Sequence, residues 1–202
     1  MKNVERFIVL RKIKFSEADL VIHGISQRGE KMAFMARSAL KSKRRFGGGV
    51  LELINFVELD YSISKTNQGL HVLNEASLIR DFATLKKDFD KIEFALEVLE
   101  TISKVIQEGD EESQKLFQIV GHLFSHLDQQ DQAAFVWKNL KMQFYLKFLM
   151  QQGVLAQEPW MAPFLKTKFE DYRQIPRNER FDDWLQAVHY QLKMYVETAS
   201  TL

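Results

Sequence analysis

The sequence predicts an α+β chain of two domains, a small β-barrel followed by an α-helical bundle, on three observations. Apolar residues alternate with period two up to about residue 76 and recur at steps of three and four beyond it. Charge changes sign along the chain. Residues 1–50 hold 12 Lys/Arg against 4 Asp/Glu, a net of +8, while the rest hold 16 against 23, a net of −7. Hydrophobic residues make up 46% of the 202 positions, enough to give each part a packed core. The expected boundaries are 1–76 for the barrel and 77–202 for the helices.

The first strands are compact and β-branched: "RFIVL", then "DLVIHGI", then "EKMAFMA" after the turn "QRG". The longest predicted strand runs from Leu51 to Ile63. Leu51, Leu53, Val57, Leu59, Tyr61 and Ile63 share one face, which Asn55 interrupts, and Glu52, Glu58, Asp60 and Ser62 share the other. A strand of that length suits a sheet that curls on itself. "SKTNQG" reads as a hairpin turn into "LHVLNEA". Five such strands suggest a Greek-key barrel of the OB-fold kind.

Beyond Ala76, Ile92, Ala95, Leu96, Leu99, Ile102 and Ile106 mark one helix face, with Gly109 as its stop. "DEESQKLFQIVGHLFSHLDQ" reads as a second helix with acids in its first turn. A third is expected from about Asp131 to Gln152, closed by Gly153. It is apolar around most of its circumference, as the buried centre of a bundle would be. Residues 154–178 hold all three prolines and should be irregular. Arg180 to Thr198 should form the last helix.

Several chemistries lack support. With no cysteine, disulfides, thiolate metal sites and a cysteine nucleophile are excluded. Gly47–Gly49 is no nucleotide loop, because a strand is expected after it rather than a helix opened by Gly-Lys-Ser/Thr. His122 and His126 have helical zinc spacing, but Leu123 stands where a metalloprotease needs Glu, and no further ligand set is apparent. The pairs Glu111–Glu112 and Asp182–Asp183 are sufficiently explained as helix-start acids. No catalytic residue, cofactor or metal is expected. The N-terminal apolar run Phe7–Leu10 is too short for a signal-peptide core, and no stretch matches a membrane span. We therefore expect a cytoplasmic protein, associated with the nucleoid if it handles DNA.

One segment stands out: "ALKSKRRFGGGVLEL", residues 39–53. Lys41, Lys43, Arg44 and Arg45 fall within five positions, with Arg37 just before them. Such a run can be a solvated loop or the binding loop of a small barrel. Arg11, Lys12, Lys14, Arg28 and Lys31 enlarge the positive field in the same half. Phe46 reads equally as a base-stacking platform or as a core residue. Cations beside an aromatic suit single-stranded nucleic acid.

"ARSALKSKRRFGGGVLEL" resembles the signature of the RecO family of bacterial recombinational repair mediators. The matching residues are Ala36, Arg37, Lys43, Arg45, Phe46, Gly47 and Gly48. "FSEADLVIHGISQRGEKMAFMA" resembles the family's opening, and "WKNLKMQFYLKFLMQQGVLAQ" its glycine-ended helix. The resemblance implies an OB-fold followed by helices, and a mediator that is not an enzyme. It implies binding of single- and double-stranded DNA, strand annealing, and partnership with the single-strand-binding protein and RecR in loading RecA. Arg37, Lys41, Lys43, Arg44 and Arg45 would be the DNA-binding residues. Many members carry a four-cysteine zinc site after the glycine-ended helix. Here "EPWMAPFLKTKF" stands in that place, with Trp160, Met161 and Phe164 expected to fill the space, so no zinc finger is expected. The readings kept beside this one are a protein–protein scaffold and an RNA-binding OB-fold protein.

Overall fold

In the computed structural model of the chain, residues 2–64, 69–106, 114–129 and 135–199 are described. They fall into two units, Met1–Ala83 with Ala95–Gln118, and Thr84–Phe94 with Ile119–Leu202.

The first unit is built on five strands: β1 (Lys2–Lys14), β2 (Leu20–Ser26), β3 (Lys31–Ala36), β4 (Phe56–Ser62) and β5 (Leu70–Arg80). They close into a barrel in the order β1-β2-β3-β5-β4, with β4 returning to β1. All neighbours are antiparallel except β3 and β5, which run parallel. This is the expected OB-type barrel. Closure leaves no free sheet edge, and the inward residues of every strand meet in one core. Phe7, Val9, Ile22, Phe34, Val57, Leu59, Tyr61 and Leu73 line it. The rings of Phe7, Phe34 and Tyr61 pack edge to face at 5.1–6.0 Å.

A bulge in β1 has a directional consequence. Val9 pairs with Gly24, but Arg11 pairs with His23, so Leu10 is the extra residue. Beyond it Lys12 and Lys14 stand opposite Ile22 and Leu20, on the side of the sheet that faces the core. Two exposed cations thereby share the face of a strand whose first half supplies Phe7 and Val9 to the core.

The expected strand from Leu51 to Ile63 is shorter in the structure. β4 starts at Phe56, and residues 47–55 turn back on themselves. Leu51 is buried but belongs to this turn, and Ile63 is 53% exposed. Three hydrogen bonds explain the break. The backbone N–H of Glu52 donates to Gly49, and the Asn55 side chain donates to the carbonyls of Gly49 at 2.9 Å and Val50 at 3.1 Å. Ile54 is held at a positive φ of 75°. β5 runs on to Arg80, past the expected end at Ala76. Of the expected hairpin turn, residues 65–68 lie outside the described residues.

The helices are α1 (Phe89–Val105), α2 (Gln114–Leu127), α3 (Lys138–Gln151), the short α4 (Ala162–Lys166) and α5 (Phe181–Ala199). Gly109, the acids at 110–112 and residues 131–134 of the expected helices lie outside the described residues. Gly153 closes α3 at a φ of 71°, as its position predicts. α3 is buried nearly all round, with Leu140, Phe144, Tyr145, Leu146, Phe148 and Leu149 fully covered.

The proline-bearing stretch is less irregular than expected. Pro159 and Pro163 sit in the first turns of a 3-10 helix and of α4, and Phe169–Gln174 form a further 3-10 segment. A polar row on α3 holds it. The Asn139 amide donates to the carbonyls of Tyr172 and Ile175, Gln143 to those of Phe164, Thr167 and Lys168, and the Lys147 ammonium to Thr167. Burial lowers the pKa of Lys147. Met161 and Phe164 are buried as expected, whereas Trp160 stacks on Trp184 with ring centroids 4.5 Å apart.

Candidate nucleic-acid interface

The segment 37–55 joins β3 to β4 and is a hydrogen-bonded loop rather than a loose spacer. Ser38 takes a positive φ of 55°, and its N–H donates to the Asp19 carboxylate at 2.7 Å. The N–H groups of Lys41 and Ser42 donate back to the Ser38 carbonyl, and that of Leu40 donates to Ala18. Further on, the Arg45 carbonyl accepts from Ala76 of β5. Ala39, Phe46, Val50 and Leu51 then enter the barrel core. A loop anchored at both ends and in its middle presents its outer side chains with little ordering left to do on binding.

The glycines have distinct jobs. A Cβ at Gly47 would overlap the carbonyl oxygen of Lys43, so the backbone approaches too closely there for any side chain. Gly48 and Gly49 adopt φ of 66° and 70°, a conformation open to glycine at little cost.

The five cations singled out from sequence share this loop, in two different states. Arg45 is engaged: a terminal guanidinium nitrogen donates to the Arg37 carbonyl at 3.0 Å, and the group lies 5.0 Å from the centre of the Phe46 ring. Lys41, Lys43 and Arg44 are exposed, and the side chain of none has a hydrogen-bond or ion-pair partner among the described residues. Arg37 is exposed as the first residue past β3. The Ser38 N–H is the main cause holding the Asp19 carboxyl below its usual pKa, opposed by desolvation and aided by the Ser16 hydroxyl and then by the charge of Arg37.

The supporting cations divide in the same way. Lys12 pairs with Glu52 at 2.6 Å, Arg28 with Glu5 at 3.6 Å, and the Lys31 ammonium donates to the carbonyls of Ser103, in the last turn of α1, and of Ile106 just past it. Arg11 and Lys14 remain exposed on β1. The third-helix lysines are largely occupied within their own unit. Lys141 lies over the rings of Phe94 and Tyr145, and Lys147 is bonded to Thr167 and lies over Phe169.

Phe46, open between two readings in the sequence, is 6% exposed and is a core residue. The exposed aromatic of this region is Phe15, which sequence reasoning passed over. It sits at 65% exposure just beyond β1. Its N–H donates to the Asp19 carbonyl, and the Ser16 hydroxyl accepts from the N–H groups of Ala18 and Asp19. The available signal was positional: an aromatic directly after a strand, with Ser16 and Asp19 behind it as turn formers.

The two histidines at zinc spacing are joined by no further ligand set among the described residues. His122 is exposed, the His126 ring lies 6.1 Å from that of Tyr172, and no group of three metal-ligating side chains occurs among the described residues. No described helix is long and apolar enough to cross a membrane.

Residues 1–82 match the family model described as recombination protein O N terminal. Among curated proteins, the DNA repair protein RecO of Desulfatibacillum aliphaticivorans is 31% identical over 147 residues, covering 73% of this chain and 55% of that protein. The DNA repair protein RecO of Desulfosudis oleivorans is 24% identical over 155 residues, covering 77% and 56%. That of Maridesulfovibrio salexigens is 33% identical over 111 residues, covering 54% and 44%. The chain thus spans about half the length of the curated relatives it matches.

Proposed function

The chain belongs to the RecO family, with its first 82 residues matching the family's N-terminal domain, and on that premise we propose that it acts in DNA repair as a non-catalytic, DNA-binding recombination mediator. The observation that carries this reading is the unengaged triad Lys41, Lys43 and Arg44, held outward on a loop whose backbone is tied to the barrel. Arg37 stands at the root of that loop and Arg45 braces it. Cations in this setting neutralise phosphates, which fixes the position of a nucleic acid without reading its sequence. Little sequence preference follows.

By the same premise the protein binds single-stranded and duplex DNA, anneals complementary strands, and helps to load a recombinase on DNA covered by single-strand-binding protein, with RecR as a further partner. The acidic helical part is proposed to serve these proteins, and residues 1–76 to serve DNA. Fluorescence anisotropy with labelled single-stranded DNA, duplex DNA and RNA across a salt series is the direct test. Salt-sensitive binding to both DNA forms is expected. Absence of binding at low salt would favour a protein–protein scaffold, and a strong preference for RNA would favour recognition through the 2′-hydroxyl.

A further inference from the structure

Beside the cationic loop, the first unit has a cleft of about 340 Å³, lined by Phe15, Asp19, Arg37, His71 and the aliphatic side chains of Met35, Leu70 and Val72. That volume falls in the range of sites that enclose small planar ligands. Its walls differ in character. Phe15 is the most exposed large apolar side chain of its unit among the described residues. The imidazole of His71 packs against Phe34 and Tyr61, and its Nδ1 accepts from the Ser64 N–H at 3.4 Å. The guanidinium-bearing Arg37 and the carboxylate-bearing Asp19 complete the rim.

We propose that this cleft receives an unpaired nucleobase, with Phe15 as the stacking surface, while the strand's phosphates run over Lys41, Lys43 and Arg44. The inference rests on the DNA-binding reading and gives it a preference for single strands. Three arguments support it. First, the Phe15 turn and the cationic loop form one bonded structure, joined by Ser38 to Asp19 at 2.7 Å and Leu40 to Ala18 at 3.0 Å. A base in the cleft and a phosphate on the loop are therefore held in a fixed relation. Second, the Asp19 carboxylate makes the cleft unfavourable for a phosphate but suits the exocyclic amines and ring N–H groups of a base. Third, every base offers a π-face to an exposed ring, whereas a base inside a duplex is already stacked and paired and must be extruded to reach one.

The test compares three proteins, wild type, Phe15→Ala and the triple variant Lys41→Ala/Lys43→Ala/Arg44→Ala, on an oligothymidylate and on a duplex of equal length. A second readout is the fluorescence of 2-aminopurine placed in the single strand, which stacking on an aromatic ring quenches. Because Phe15 is largely in water, its replacement should leave the melting temperature unchanged. Phe15→Ala should weaken single-strand binding by about 5- to 100-fold and remove the quench, with duplex affinity unchanged within about twofold. The triple variant should weaken both. If Phe15→Ala leaves single-strand affinity and the quench intact while the triple variant weakens both forms, the cleft assignment is wrong and the DNA-binding reading stands. Equal losses on both DNA forms with Phe15→Ala would also overturn it. If wild type binds neither DNA, both readings fall.

Discussion

Replacing Lys41, Lys43 and Arg44 together with Ala removes the three loop cations whose side chains have no partner among the described residues. With Arg37 as a fourth contact, a single strand bound here loses affinity with salt at a slope of about −2.8 in log K against log salt, taking about 0.7 per phosphate. The triple variant keeps one of those contacts and should show a slope of about −0.7. Over a fourfold rise in salt, wild type then weakens by roughly 50-fold and the variant by only about threefold. The assay is an anisotropy titration against labelled single-stranded DNA at four or more salt concentrations. Arg45→Ala is the control. That guanidinium is bonded to Arg37 and packed on Phe46, so its loss should cost about 1 kcal/mol of stability and leave most of the slope intact. A triple variant with the wild-type slope, or an Arg45→Ala variant that alone abolishes it, would refute the division of the loop into contacting and bracing cations.

Three further outcomes concern the fold that carries the site. Asn55→Ala leaves the carbonyls of Gly49 and Val50 without their side-chain donor in a buried position and should lower stability by about 1–3 kcal/mol in urea denaturation; an unchanged midpoint would contradict the pinning role. Burial, reinforced by the Glu5 carboxylate, pushes the Tyr61 phenol up to about 12, so the folded state keeps a proton that the unfolded state releases near its usual value. Stability should therefore fall as pH climbs from about 10 to about 12, and Tyr61→Phe should remove that loss; matching pH profiles for the two proteins would count against it. A chelator should leave the melting temperature unchanged, since no described group of three side chains is placed to hold a metal; a clear drop would show that one contributes to folding.

The barrel was legible because closure demands what a sequence displays, namely period-two strands separated by turn formers. The exception is instructive. Leu51 and Leu53 extend the alternation of β4 on paper, but burial is not confined to strands, and a folded-back turn can hide the same residues. Asn55 was the signal, since a side chain that interrupts an apolar face in a strand is free to bond the backbone in a turn. Phe46 illustrates a second limit. A ring beside a basic run looks like a binding group, yet its direction is set by the carbonyl approach at Gly47 and by Arg45 closing over it, neither of which has a periodicity. Phe15 escaped notice for the complementary reason. A lone aromatic after a strand resembles one more apolar residue until the turn behind it is seen to face away from the core.

The segment after α3 poses the same question about order without a metal. A four-ligand site fixes a loop by bonding its side chains to one point. Here the fixing runs through the backbone instead. Asn139, Gln143 and Lys147 recur every four residues, so they share one face of α3 and meet the segment as a row. Together they donate to five of its carbonyls, at Phe164, Thr167, Lys168, Tyr172 and Ile175. Apolar filling by Met161 and Phe164 supplies burial, but burial alone would leave the carbonyls of Phe164, Thr167 and Ile175 without donors, whereas those of Lys168 and Tyr172 also accept from the N–H groups of Asp171 and Ile175. The donors belong to the helix and the acceptors to the segment. The segment's shape is therefore conditional on α3, whose own apolar circumference already makes it the centre of its unit. Order that a metal would impose locally is inherited here from a helix that is buried nearly all round.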